Sequence, residues 1–426
     1  MCGIIGIVSR APTRETPAIA DILTSLDRAV TAAVERSIEE STALVDQVDA
    51  SLKGVPGVVA LAGRPDDVAS ISARLDQLDA VAAATEAELD ANADGLDAEA
   101  LEAANARLIA FKDALWAVRR DRLRTVAAVE ALAGRDATPS QLAGYLAVQQ
   151  AFAGLDRLEV RGRDSAGLHV LVHGHDIADD ALAALVAERG VDPLFQSGAG
   201  AVANGCLSFV YKAAAEIGEL GDNTAALRSA LAADALLRRA LAAPAARATI
   251  LGHTRWASVG IISEPNTHPL NSWELEQSGG AEPPYVVAAL NGDVDNHADL
   301  RVAHGLRVAP TITTDAKVIP TLVARHAGGT TLGEAFRRTV AEFEGSVAIG
   351  VTSAETPSQL FLALRGSGQG LYIGLADDCF VVASEPYGVV EETAHYVRMD
   401  GEQGGEIVVL DGEHAGQLAG IDRLAY

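Results

Sequence analysis

The feature that most constrains the fold is a long helical pattern that interrupts a β-rich chain. Residues 2–9 read Cys-Gly-Ile-Ile-Gly-Ile-Val-Ser, a segment rich in β-branched side chains that predicts a buried strand. Residues 10–137 then carry apolar side chains at helical spacing. A second β-rich region follows. We therefore predict a discontinuous domain, residues 1–9 with 138–426, and an α-helical insertion over residues 10–137.

The insertion predicts amphipathic helices separated by Gly/Pro breaks. Thr16 and Pro17 suit an N-cap and a first helical position. Breaks are expected at 54–57 and again at 63–65. An apolar stripe continues at Leu75, Leu78, Val81, Leu101, Leu108, Phe111, Leu115 and Val118. Such helices pack against each other as hairpins or bind a partner as a coiled coil, and the sequence leaves both readings open.

The remaining chain mixes short strands with helices. A capped helix is expected from Thr138 to about residue 156, and helical stretches over 224–241 and 316–343. Residues 176–247 look mostly helical and irregular. Strands are predicted at 167–172, 248–252, 285–290, 346–352, 359–364, 371–375, 379–384 and 406–410. This alternation, with many antiparallel neighbours, indicates an α+β layered body.

Composition excludes several classes of function. The formal net charge of -25 repels phosphate backbones, so we expect no nucleic-acid partner. No apolar run approaches the roughly 20 residues of a membrane span, and no secretory leader is present, so we expect a cytoplasmic protein that does not bind membranes. Three widely spaced cysteines argue against a disulfide framework and a zinc site. We expect no cofactor and no metal.

A cysteine directly after the initiator methionine suggests a catalytic role. Removal of Met1 would leave Cys2 with a thiol of pKa about 8.5 and an α-amine of pKa about 7.7–8.0 on the same carbon. The amine can accept the thiol proton, so one residue supplies both nucleophile and base. The alternative is that Cys2 is only an apolar strand residue.

Two further motifs suggest recognition of small charged groups. Arg255 and Trp256 end a predicted strand, and an arginine fork beside an aromatic ring suits a carboxylate. Asp315 stands at a predicted helix start, where it can act as an N-cap or bind an ammonium group. The alternative for the first pair is a surface arginine and a core tryptophan.

The dipeptide Asn291–Gly292 carries a third function. An Asn side-chain amide and the backbone N–H of the next Gly can converge on one oxygen and form an oxyanion hole. The same dipeptide is also a common tight turn. The sequence therefore contains a candidate nucleophile, substrate clamp and oxyanion hole, each with a structural alternative.

Six ordered motifs resemble the class II glutamine amidotransferase domain. They are Met-Cys-Gly-Ile at 1–4, Leu-Glu-Val-Arg-Gly-Arg-Asp-Ser-Ala-Gly at 158–167, Gly-His-Thr-Arg-Trp-Ala at 252–257, Asn-Thr-His-Pro at 266–269, Asn-Gly at 291–292 and Thr-Asp at 314–315. The resemblance is greatest to the glutaminase half of the glutamine–fructose-6-phosphate aminotransferase branch. It covers roughly residues 1–9 and 139–410 and implies an N-terminal-nucleophile hydrolase fold, a four-layer αββα sandwich.

The resemblance also implies residue roles. Cys2 matches the nucleophile, and Asn291 with Gly292 matches the oxyanion hole. Arg255 matches the ligand of the glutamine α-carboxylate, and Asp315 matches the ligand of its α-ammonium group. Glutamine would be hydrolysed to glutamate and ammonia.

Three other positions are expected to bind or support the substrate. Trp256 falls in a loop that closes over glutamine in the family. Ser258 keeps a hydroxyl where the family has Thr, but the family's following His is Val259 here. His268 belongs to a motif that supports the pocket. Leu270 and Arg163 also depart from the pattern, which affects loop closure and communication with an acceptor site.

The resemblance implies a partner that receives the ammonia. In this branch the acceptor is fructose 6-phosphate, and the product is glucosamine 6-phosphate. The sugar-isomerase half that performs this step has no counterpart in these 426 residues, so we expect it in cis or in trans. Two alternatives stay open, a glutaminase that serves another acceptor and a non-enzymatic interaction module. Homo-oligomer formation is also left open.

Overall fold

A computed structural model of the chain describes residues 2–92, 97–189, 192, 194–214, 219–275, 284–402 and 404–426. They form two compact units. The helical unit is Pro12–Leu142, and the sheet unit combines Met1–Ala11 with Ala143–Tyr426. The domain limits that the sequence suggests, near residues 9 and 138, stay a prediction. Among the described helices, none has the length and apolar character needed to cross a lipid bilayer.

The helical unit is built from amphipathic helices whose apolar faces meet. Helix α1 contacts α2 and α4, and α5 contacts the same two helices. Leu26, Leu75 and Phe111 are fully buried, as the helical spacing predicts. The helices are α1 Ile19–Val34, α2 Ile38–Leu52, α3 Gly54–Leu61, α4 Pro65–Asn92, α5 Ala98–Trp116 and α6 Arg124–Ala133, with a π-helical segment Ala117–Leu123 between the last two.

The start of the first helix differs from the sequence prediction. Thr16 and Pro17 do not begin it, because the backbone stays extended until Ala18, which occupies the N-cap without a side-chain hydrogen bond. Asp21 lies in the first turn instead and places a negative charge at the positive end of the helix. The predicted break at residues 63–65 is confirmed, since α4 begins at Pro65, where a missing N–H costs nothing.

The sheet unit contains two antiparallel sheets. The strands are β1 Gly3–Ser9, β2 Ser165–His173, β3 Gly200–Ala203, β4 Cys206–Ala213, β5 Arg247–Arg255, β6 Leu270–Asn271, β7 Val286–Gly292, β8 Val347–Ser353, β9 Gln359–Arg365, β10 Tyr372–Leu375, β11 Cys379–Ala383, β12 Tyr396–Arg398, β13 Glu406–Asp411 and β14 Ile421–Leu424. One sheet has the order β12-β10-β11-β1-β5-β2-β4-β3, and the other has β14-β13-β9-β8-β7-β6. All the predicted strands are present, with ends shifted by a few residues.

Helices cover the outer faces of both sheets. The helices of this unit are α7 Pro139–Leu158, α8 Asp179–Arg189, α9 Asp222–Ala232, α10 Ala235–Ala240, α11 His297–Ala303, α12 Val318–His326 and α13 Leu332–Ala341. α7 lies on β1 and β5, where a Cβ on Gly154 would come within 2.5 Å of Ile5. α12 and α13 share one apolar core with the outer face of the six-stranded sheet. A separate core, including Ile4, Leu251 and Leu362, fills the space between the sheets. The predicted αββα arrangement is confirmed.

Residues 176–247 correct the sequence prediction. They contain β3 and β4 as well as helices. β4 is buried along most of its length, including the polar side chains of Ser208 and Lys212. A strand buried on both faces lacks the apolar–polar alternation of a half-exposed strand, so the pattern gave no clear signal.

Two predicted long helices are each divided. Asp234 ends the first stretch and caps α10, because its carboxylate accepts hydrogen bonds from Leu236 N and Leu237 N. Gly329, at φ +90°, separates α12 from α13, and Thr331 caps the latter. The helix predicted from Thr138 is confirmed. Gln141 accepts from Thr138 N at 2.8 Å, and its own N–H donates to Thr138 Oγ1 at 3.3 Å.

Candidate functional site

Cys2 lies where the start of β1 meets the end of β5. It precedes β1, which pairs with β5 so that Gly3 is opposite Thr254. This register brings the thiol next to the residues that follow β5, and Trp256 N donates to Cys2 Sγ at 3.3 Å. Burial raises the pKa of the Cys2 thiol, whereas the Trp256 hydrogen bond and the Arg255 charge lower it. The thiol therefore needs a base to become a good nucleophile.

The Arg-Gly-x-Asp segment holds the end of β5 in place. Asp164 Oδ2 accepts from Ala257 N at 2.7 Å, and Asp164 N donates to Arg255 O at 3.1 Å. A Cβ on Gly162 would lie 2.6 Å from the carbonyl carbon of Arg255, so only glycine fits this approach. The motif fixes the backbone beside Cys2.

Arg255 is a buried cation that organises the loop after β5. Its NH1 and NH2 groups donate to the main-chain oxygens of Val259, Gly260 and Ile261. Burial lowers the pKa of Arg255, and the nearby acidic groups Cys2, Asp315 and Asp164 raise it. Trp256, on the same loop, has 58% of its surface exposed. The guanidinium therefore lies in the electrostatic range of both the thiol and Asp315.

Asn291 and Gly292 end β7 in a turn that requires glycine. Gly292 has φ +88°, and a Cβ there would lie 1.9 Å from Ser346 O. Asn291 is buried, with Nδ2 donating to Ser384 Oγ at 2.7 Å and Oδ1 at 3.1 Å from His253 Nε2. Ser384 Oγ also accepts from Ile4 N at 2.8 Å. The amide is held by contacts on both sides and keeps a second N–H that these bonds do not use.

Asp315 and Ser258 border the same turn. Asp315 Oδ2 accepts from Val294 N at 2.8 Å, and burial raises the pKa of this carboxyl. Thr314, rather than Asp315, is the N-cap, with its hydroxyl accepting from Ala316 N. Ser258 Oγ donates to Asp293 Oδ1 at 2.8 Å. The loop after β5 and the turn after β7 are thus joined by a hydrogen bond.

His268 is buried behind these residues. Its Nδ1 lies 3.2 Å from Leu290 O, and its Nε2 lies 3.2 Å from Thr314 Oγ1. Its ring stacks on His253 with centroids 4.5 Å apart. Both ring nitrogens thus contact protein atoms, so His268 supports β7 and the Asp315 turn from the interior.

Sequence similarity links the chain to one kind of curated protein. No family model matches the chain. Curated relatives are glutamine–fructose-6-phosphate aminotransferases. That of Geobacillus kaustophilus is 30% identical over 268 residues, 61% of this chain and 34% of the relative. That of Bacillus thuringiensis is 27% identical over 263 residues, with the same coverage.

Over this region the chain is similar to class II glutamine amidotransferases. It spans about a third of the length of these curated relatives. Among solved structures, it aligns with a glutamine phosphoribosylpyrophosphate amidotransferase from B. subtilis at 19% identity and a TM-score of 0.41. That alignment covers 65% of this chain and 46% of the other.

The site has supporting residues that the sequence interpretation did not single out. His253 is fully buried, and burial lowers its pKa to about 3, so the ring is neutral. Its Nε2 faces two oxygens, Leu290 O at 2.8 Å and Asn291 Oδ1, and therefore carries the proton. Ser384 Oγ accepts a hydrogen bond from the Asn291 amide, and Asp164 accepts one from the backbone of the loop after β5. His253 and Asp164 stand inside quoted motifs, which was the available signal, whereas Ser384 stands outside them.

Proposed function

We propose that the amidotransferase domain hydrolyses glutamine to glutamate and ammonia, with Cys2 as the nucleophile. The observation that carries the proposal is the meeting of separate chain segments around one thiol. The start of β1 supplies Cys2, the end of β5 supplies Arg255, and the end of β7 supplies Asn291 and Gly292. The turn at Asp315 completes the set.

Removal of Met1 is the first step of the proposed mechanism. It exposes an α-amine with a pKa of about 7.7–8.0, close enough to neutrality to accept the thiol proton. Because burial raises the pKa of the Cys2 thiol, this internal base matters more than it would at an exposed cysteine. The thiolate attacks the side-chain amide carbon, ammonia leaves, and water resolves the thioester to glutamate.

Asn291 and Gly292 are proposed to bind the oxyanion. One Asn291 N–H is committed to Ser384, and the other is available to the developing charge. The positive φ of Gly292 turns the backbone after β7, so that the Gly292 backbone can approach the oxyanion closely. Donors fixed before the reaction need no reorganisation in the transition state, which is why such sites accelerate acyl transfer.

Arg255 and Asp315 are proposed to clamp the α-carboxylate and α-ammonium of glutamine. Arginine has five N–H donors, and rearrangement of the loop at Val259 to Ile261 would free further donors for the substrate. Trp256 would cover the pocket from the exposed side of this loop. Ser258 would hold the loop to Asp293.

We also propose which molecule accepts the ammonia. The relatives are named for fructose 6-phosphate, so we assign a sugar-phosphate acceptor held by a sugar-isomerase domain, in cis or in trans, and a cytoplasmic location. The experiment uses the natural polypeptide that contains this domain, together with any subunit that copurifies with it. Amide-labelled ¹⁵N-glutamine and fructose 6-phosphate should yield labelled glucosamine 6-phosphate. Labelled ammonia without labelled sugar would refute the acceptor and leave hydrolysis intact.

Glutamate release by the Cys2→Ala variant tests hydrolysis itself. We expect no measurable turnover, while calorimetry still detects glutamine binding because the clamp is unchanged. Cys206→Ala is the matched control, since that thiol is buried in a separate apolar cluster. Wild-type turnover by Cys2→Ala would refute the proposal. Gel filtration of the same samples measures whether the chain self-associates.

A further inference from the structure

Three side chains outside the proposed active site converge at the ends of three helices. His304 follows α11, His326 is the last residue of α12, and Glu342 follows α13. His304 Nε2 lies 2.7 Å from Glu342 Oε2, and His326 Nε2 lies 3.2 Å from Glu342 Oε1. One donor atom from each of the three lies within 4.8 Å of the others. We call this group the His-His-Glu triad.

The hydrogen bonds around His326 determine which ring nitrogen carries its proton. The Thr339 hydroxyl donates to Ala335 O at 2.9 Å, as a helical threonine does to the residue four positions earlier. Its lone pair therefore accepts from His326 Nδ1, which lies 2.9 Å away. In the neutral ring, Nε2 then presents a lone pair to a carboxylate oxygen. Two acceptors at 3.2 Å repel unless a cation lies between them.

A proton or a metal ion can fill that place. A metal-bound His commonly donates its second nitrogen to an oxygen, and His326 makes such a contact to Thr339.

The backbone around the triad also favours a cation. His326 and Glu342 stand at the C-termini of helices of nine and ten residues, where the unpaired carbonyls carry partial negative charge. The side chains are 21–34% exposed, so an ion can enter from solvent and keep a water ligand. Arg325, which donates to His304 O, belongs to the same region but is paired with Glu274.

We propose that the His-His-Glu triad binds a divalent transition metal, and that zinc fits best. Two imidazoles and a carboxylate are a common zinc ligand set, with a fourth position for water. Tetrahedral zinc with arms of about 2.05 Å separates its ligands by roughly 3.3 Å. The two separations from Glu342, 2.7 and 3.2 Å, are close to this value, and all three ligand atoms lie within 4.8 Å of one another.

The proposed metal would tie α11, α12 and α13 together on the outer layer of the six-stranded sheet. α11 begins five residues after Gly292, and Arg301 on this helix donates to Thr314 O at 2.8 Å, beside Asp315. The bound ion would thus stabilise the layer that carries one side of the proposed glutamine site. The inference rests on the triad alone and does not depend on glutamine hydrolysis.

Zinc titration of the purified, chelator-treated chain tests the site. All variants carry Cys2→Ala, so that the Cys2 thiol cannot bind zinc. The parent should bind about one equivalent against a zinc-binding dye and show a higher melting temperature with zinc. His326→Gln and Glu342→Gln should weaken binding by at least about 100-fold, and Thr339→Val by about 10–100-fold through loss of the Nδ1 acceptor.

His414→Gln is the matched control, because His414 is half-exposed and pairs with Asp411 outside the triad. It should bind zinc like the parent. Melting in excess chelator checks that the triad variants remain folded, and His304→Gln replaces any variant that does not. A parent that binds no zinc, or folded triad variants that bind zinc like the parent, would overturn the proposal.

Discussion

The helical unit and the sheet unit bury very different side chains. Charged residues in the helical unit mostly stay at the surface, as in the ion pair of Arg36 with Glu88, whose side chains are 76% and 52% exposed. The sheet unit buries Arg255, His253 and Asp315. Taking charged and polar groups out of water costs several kcal/mol unless each finds partners.

That difference indicates where the chemistry lies. The core of the helical unit consists mainly of apolar packing between amphipathic helices, and the buried pair of Arg122 with Asp49 is an exception. Arg255, His253 and Asp315 each hydrogen-bond to protein groups, and Arg255 and His253 stand on β5, whose end reaches Cys2. We therefore expect substitutions in the helical unit to change stability, and substitutions around Cys2 to change turnover.

Among substitutions that keep the nucleophile, Asn291→Ala should give the largest effect on turnover. Loss of one oxyanion donor lowers kcat by about 10²–10³. Asn92→Ala is the control, since Asn92 is exposed in the helical unit and should leave kcat unchanged. Steady-state glutamate release measures both. A kcat for Asn291→Ala within a few-fold of the wild-type value would contradict the oxyanion role of Asn291. It would also weaken the distinction between the two units.

Leu75→Ala should act in the opposite way. Leu75 is fully buried in the helical unit, so its truncation should lower the free energy of unfolding by about 2–5 kcal/mol. The kcat of the folded protein should not change. Val34→Ala, at a position 67% exposed, should cost little. Urea unfolding followed by circular dichroism, with kcat measured on the same samples, distinguishes a purely structural unit from one that contributes to catalysis.

The buried carboxyl of Asp315 leads us to predict a specific pH dependence of kcat/KM. Burial raises the pKa of its carboxyl, so the protein holds the proton at a higher pH than a free aspartate does. If the ionised form binds the α-ammonium group, protonation of Asp315 adds a further fall in kcat/KM as the pH drops through the raised pKa, below the fall that protonation of the α-amine causes. Asp315→Asn should lose that acidic limb and about 10²-fold in kcat/KM at neutral pH. An unchanged acidic limb in the variant would contradict the assignment.

Ser384→Ala should give the smallest of these effects. Its hydroxyl positions Asn291 and accepts from Ile4 N, so its loss should lower kcat about tenfold with KM nearly unchanged. Ser384→Thr keeps the hydroxyl and should restore most of the rate. A change in KM alone would assign Ser384 to substrate binding rather than to positioning.

The sequence predicted most of the strands and the candidate residues for identifiable reasons, and the family resemblance implied the two stacked sheets. β-Branched segments such as residues 346–352 mark strands, and Cys2, Arg255 and Asn291 stand in ordered motifs. β4 was not predicted, because a strand buried on both faces lacks the alternation of apolar and polar side chains that marks a half-exposed strand. The roles of His253 and Ser384 depend on which strands become neighbours, and periodicity along the chain does not contain that information.

The sequence did not predict the His-His-Glu triad, for a related reason. Cysteine spacing argued against a zinc site, but His304, His326 and Glu342 are separated along the chain and meet only when α11, α12 and α13 pack. The start of α1 was placed too early because Thr16 and Pro17 satisfy a local rule that the extended backbone up to Ala18 does not follow.

Intact-protein mass spectrometry during turnover tests the central claim most directly. The protein is mixed with glutamine and quenched with acid while the reaction runs, and the modified peptide is then sequenced. We predict a chain that lacks Met1 and carries one γ-glutamyl group on Cys2. Steady glutamate formation by a chain that retains Met1, or with the glutamyl group on another residue, would contradict the account.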